Sequence, residues 1–154
     1  MGIYISKQPN GKYCRFTGKV DCPTHINMTF DDLVYVINQM HNNASFDATE
    51  MVTQIVDYQL RPFKNVISDF QPINITTKKF LYCIQKMLDD NANYEEISSS
   101  REDELDDELT NEYHNDFDIR DKKIEELKKV ALSMLDDYEK KKQNLETTNN
   151  HKHH

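Results

Sequence analysis

The sequence predicts an α+β fold that is mostly α: a short N-terminal β-hairpin or ribbon packed on a small helical bundle, an acidic linker, and a long C-terminal amphipathic helix. Three observations predict it. Strand-favouring residues flank Pro9-Asn10-Gly11 near the start. Apolar stripes at helical spacing, each preceded by a capping residue, fill the middle. A segment poor in apolar residues and dense in carboxylates then separates them from one last stripe.

Residues 3–17 read as the hairpin. Pro9 pre-sets φ at the first turn position, Asn10 tolerates the second, and Gly11 supplies the left-handed residue of a type I turn with a bulge. Gly18 turns the chain into a third short strand, Lys19 to Cys22, which Pro23 stops. A ribbon of this size is not stable alone, so it must pack on the helices that come after it in the chain. Thr29 with Asp32 is a capping-box variant, opening a helix with Phe30, Leu33, Val34, Ile37 and Met40 on one face. Ser45 or Asp47 caps a second helix with the stripe Met51, Val52, Ile55, Tyr58 and Gln59, interrupted or restarted at Pro62. Phe63, Val66, Ile67 and Phe70 form a third stripe, and Thr76 caps a fourth helix with Phe80, Leu81, Ile84, Met87 and Leu88 inside. These elements define a body over residues 1–92.

Residues 93–118 read as the acidic linker, in which Leu105 and Leu109 are spaced four apart, the spacing of a transient helix or docking motif. From 119 to 146, Ile124, Leu127, Ala131, Met134 and Tyr138 follow a 3,4,3,4 pattern, which is an amphipathic helix. It either folds back on the body or joins a second chain. Residues 147–154 read as a disordered tail.

The chain is 37% hydrophobic and 30% charged, which implies a compact part plus a solvated part. Charge is concentrated: from Glu95 to Asp118 eleven acids face Arg101 alone, a net of −10 in a chain whose total is −8, so the remainder carries about +2. No apolar run reaches the roughly 18 residues of a membrane span. The opening lacks the apolar stretch of an export signal, so a cytoplasmic location is expected. On that footing the three Asn-x-Ser/Thr sites read as helix entries rather than glycosylation sites.

Several constellations carry candidate chemistry. Cys14, Cys22 and His25, with Cys83 or His41, could form a tetrahedral metal set. There is no close Cys pair of the zinc type, so buried core cysteines are the favoured reading, with no cofactor. No Gly-x-Ser-x-Gly elbow, phosphate loop, dinucleotide glycine pattern or His-Glu-x-x-His occurs. All three glycines lie in the first 18 residues, leaving none for the turns that oxyanion holes and phosphate cradles favour. A non-enzymatic role is expected, with a small thiol or metal enzyme as the alternative. The acidic run, Glu102, Asp103, Glu104, Asp106, Asp107, Glu108 and Glu112, can mimic nucleic acid, since duplex DNA carries one charge per roughly 1.7 Å. As local chemistry alone it reads as a solvated linker. The hairpin points to the opposite partner: Lys7, Lys12, Arg15 and Lys19 interleave with Tyr13 and other rings, as in a phosphate-holding, base-stacking ribbon. The acidity of the whole chain weighs against direct nucleic-acid binding.

The opening Gly2-Ile3-Tyr4-Ile5-Ser6-Lys7-Gln8-Pro9-Asn10-Gly11-Lys12-Tyr13-Cys14-Arg15-Phe16, with Asp21-Cys22-Pro23-Thr24 and Asn27-Met28-Thr29, resembles a group of small proteins carried by phages and mobile elements of low-GC bacteria. The resemblance covers about the first thirty residues and brings no catalytic residues. It implies an accessory phage protein in a bacterial host cell. Proteins of that class are often inhibitors of host defence, anti-CRISPR proteins among them. The functional expectation is therefore an inhibitor that occupies a basic nucleic-acid-binding surface of a host nuclease. The alternative is a phage regulator that binds nucleic acid through the hairpin.

Overall fold

The structure, a computed structural model, describes residues 2–41, 46–72, 75–98 and 117–152, with side chains in the last segment over 120–145. The first two strands, β1 (Ile3–Lys7) and β2 (Tyr13–Thr17), pair antiparallel from Ile3↔Thr17 to Lys7↔Tyr13. Their turn is the expected one. Gly11 N donates to Gln8 O at 2.9 Å, Gln8 N donates to Lys12 O at 2.7 Å, and Gly11 has φ 87°, a conformation glycine adopts without a Cβ penalty.

The third strand differs from expectation. Residues 18–21 are turn, with Asp21 at φ 54°, and β3 runs Cys22–Met28. Pro23 sits inside the strand rather than ending it. Its missing N–H is tolerated because the strand beyond β3 pairs only at His25 and Ile26, so Pro23 lies past the end of that ladder. That further strand, β4 (Glu95–Glu96), comes from the stretch expected to be linker, and makes a four-stranded sheet in the order β1-β2-β3-β4. Ile97 N donates to Thr24 O at 2.8 Å and extends the pairing. The body therefore reaches Ser98, beyond the boundary expected at 92.

The helices follow their caps. Thr29 and Asp32 form a complete capping box on α1 (Phe30–Met40). Asp47 caps α2 (Ala48–Gln54), which continues as a π turn over Ile55–Gln59; Ser45, the other cap candidate, lies outside the described residues. Pro62 opens α3 (Phe63–Asp69), and Thr76 caps α4 (Thr77–Met87). The last helix, α5, runs Phe117–Lys152, so residues 147–152, expected as a disordered tail, are helical.

Burial corrects parts of the expected stripes. Val36, Cys83 and Leu135 are core residues that the stripes left out, whereas Met51 and Tyr58 are exposed, the latter at 84%. Side chains alternate across the sheet and seed two cores. On one face Cys14, Phe16, Cys22 and Ile26 pack with Phe70 and Phe80 of the α3–α4 region and with Ile124, Leu127, Ala131 and Leu135 of α5. On the other, Ile5 and Met28 pack with Leu33, Val36, Ile37, Val52 and Ile55. The C-terminal helix thus spends its apolar face on its own body. Lys142 reinforces the docking, with its Nζ 3.8 Å from an Asp90 carboxylate oxygen and 3.3 Å from Pro9 O.

Candidate functional site

The second face of the sheet is not fully covered. Between β1 and β2, the end of α1, and α2 with its π turn lies a cleft of about 650 Å³. Its apolar wall comes from Ile5, Ile37 and Ile55, and its rim from Ile3, Met40 and Met51, which are 60%, 44% and 36% exposed. Arg15 and Arg61 both line it, with His41 at the edge and no Asp or Glu among the described lining residues.

Local rules place both arginines. Arg15 points to this face because its neighbours Cys14 and Phe16 point to the other. It is half-buried, its Nη1 donates to Thr24 Oγ1 at 2.9 Å, and burial lowers its pKa from the ordinary arginine value. Arg61 precedes Pro62, a position from which helix is disfavoured. It is instead extended, forms a parallel bridge with Ser6, and donates its N–H to Ile5 O at 2.9 Å. That bridge covers the outer edge of β1. It also sets the guanidinium 5.7 Å from the centre of the Tyr4 ring, which itself stacks on Phe16 at 5.0 Å. Among the described residues neither arginine has a carboxylate ion-pair partner. Next to Arg15 in the sheet, His25 stacks on Tyr94 at 6.2 Å; burial and then Arg15 lower its pKa, with Glu96 acting in the opposite sense.

The structure separates the expected hairpin site. Lys7, Lys12 and Tyr13 lie at the Gly11 end of β1 and β2, and Lys19 at the opposite end, in the turn before β3. Lys12 Nζ donates to Ala92 O, and Tyr13 packs partly into the second core. Only Arg15 reaches the cleft. The candidate metal set is likewise divided: Cys14 and Cys22 are buried in the first core, and His25 is on the other side of the sheet beside Tyr94. Burial pushes the Cys14 and Cys83 thiols up to about 12, so at neutral pH they stay protonated and are poor nucleophiles.

The acidic candidates Glu102, Asp103, Glu104, Asp106, Asp107, Glu108 and Glu112 lie outside the described residues; their flanks do not. On one side Ile97 is tied to β3. On the other, α5 enters the first core at Ile124. Sequence reading missed the cleft residues Ile3, Arg61 and Met51. None carries a local signal: Met51 falls in an ordinary apolar stripe at helical spacing.

The fold and this site define an α+β protein, mostly helical, with a two-faced antiparallel sheet. Set against known protein families, curated proteins and solved structures, the chain matches none. No helix among the described residues is long and apolar enough to cross a membrane.

Proposed function

We propose that this is a non-enzymatic binding protein whose acidic segment engages a basic, phosphate-binding surface of a macromolecular partner. The partner class is a host defence nuclease of CRISPR type, to which the resemblance of the opening points, and the segment acts there as a nucleic-acid mimic. The observation that supports this reading is the distribution of charge about a closed body. The net −10 of residues 95–118 stands against about +2 elsewhere, and both flanks of the segment join the same packed unit. Fixing both ends reduces the conformational freedom that binding would remove. Concentrated like charge gives fast, salt-sensitive association with a basic groove.

The test is binding to a candidate nuclease captured from host extract, followed across a salt series. Replacing Glu102, Asp103, Glu104, Asp106, Asp107 and Glu108 by Ser or Asn should weaken binding by at least about tenfold and flatten the salt dependence. Binding that survives the six substitutions unchanged removes the acidic segment from the mechanism. The nucleic-acid-binding hairpin draws less support, because Lys7 and Lys19 sit at opposite ends of the ribbon and Lys12 is engaged by Ala92.

A further inference from the structure

We infer that the cleft between the sheet and the α1–α2 region is a binding site for a small amphipathic anion, an oxyanion head on an apolar body, held by Arg15 and Arg61. This is independent of the acidic segment. Its size is that of small-molecule sites, which run from roughly 300 to 1,000 Å³ and combine an apolar lining with a few convergent polar groups. The polar groups here share one sign. Two arginines line the cleft, and its described lining residues include no Asp or Glu.

Charge complementarity decides the ligand class. A half-buried guanidinium keeps its charge and gains most from a planar oxyanion that accepts two N–H bonds. Arg15 is half-buried, and its one described side-chain hydrogen bond is to the neutral hydroxyl of Thr24. Arg61 has its guanidinium 5.7 Å from the centre of the Tyr4 ring and no carboxylate partner among the described residues, so its charge is not already answered by an acid. Below the head, Ile5, Ile37 and Ile55 offer an apolar wall, and the exposed Ile3, Met40 and Met51 supply apolar surface that a tail would cover. Methionine side chains adapt to tails of different shape. A purely polar anion would leave that wall wet, and a neutral hydrocarbon would leave both arginines unanswered.

The experiment is calorimetric titration of the full chain with decanoate, in parallel with decanol and decyltrimethylammonium, which share the tail. Decanoate should bind one to one, at least about tenfold more tightly than either analogue. Arg61→Gln, at an exposed position, and Met51→Glu, at the rim, should each weaken decanoate by about tenfold while leaving the thermal midpoint within a degree or two. Arg15→Gln should do the same, with circular dichroism as the check on folding. Equal affinity for decanoate and decanol, no saturable heat, or indifference to both Arg61→Gln and Met51→Glu would overturn the proposal. The variant lacking the six acids separates one further occupant. Unchanged decanoate affinity supports an external ligand, and a marked gain would assign the cleft to the chain's own acidic segment instead. Neither result depends on whether a nuclease binds.

Discussion

The two faces of the sheet are built to different standards. On the face covered by α3, α4 and α5, Phe16, Phe70, Phe80 and Met87 are fully buried, and the Phe70 and Phe80 rings meet edge to face at 4.7 Å. On the face covered by α1 and α2, the helix after Gln54 loosens into a π turn, large apolar side chains stand in solvent, and a cleft opens. π turns of this kind recur at functional sites. Both the sealed and the open face have a buried core, but the open one has surface left for a ligand beside it.

Substitutions should divide along that line. Phe80→Ala on the sealed face should cost about 3–5 kcal/mol in urea denaturation, while Met51→Ala on the open face should cost under about 0.5 kcal/mol. A comparable cost for both would erase the distinction between the faces. The next largest effect is expected at the seam between them. Asn27, at φ 59° and nearly inaccessible, accepts hydrogen bonds from Gln8 and Asn10 at 2.7 and 2.8 Å and donates to Lys86 O at 3.1 Å. Asn27→Ala strands those partners and places a Cβ-bearing residue without a side-chain amide in the left-handed region, a loss of about 2–3 kcal/mol. Asn27→Gly should recover the backbone part alone.

A pH profile sharpens the comparison from the open side. His25 has its folded pKa lowered by burial and by Arg15, against the opposing pull of Glu96. The unfolded chain therefore binds the proton more readily, and the neutral ring contributes stability that is intact above the ordinary value of about 6.5. That contribution is lost as pH falls below 6.5 toward the lowered folded value. The thermal midpoint should drop over that interval, and His25→Gln should flatten the drop; an identical profile in the variant would remove His25 as its source. The smallest effect is expected at Ser6, whose buried Oγ has no hydrogen-bond partner among the described residues. Ser6→Ala should be neutral within about 0.5 kcal/mol or slightly stabilising.

Much of the fold was legible because its signals are local. Thr29 with Asp32, Asp47, Thr76 and Pro62 each mark a helix start through bonds within a few residues, and Pro9-Asn10-Gly11 does the same for the hairpin. The features that escaped were set by distant partners. Glu95 and Glu96 have poor strand propensity and become a strand only because β3 offers an open edge. The left-handed Asn27 and the irregular register between β2 and β3 blur the alternation that would have revealed the full length of β3. The cleft was invisible for a related reason. Ile3, Arg15, Met51 and Arg61 are far apart in sequence, and Met51 at helical spacing reads like any core residue until its neighbours are known.

The docking of α5 has a consequence for the integrity of the chain. Because Ile124, Leu127, Ala131 and Leu135 are core residues of the N-terminal body, the covalent link through residues 99–116 is not what keeps the helix in place. A protease cut there would yield a nicked protein whose two fragments elute together and separate only on denaturation. The same two pieces, expressed apart, should reconstitute the fold by complementation.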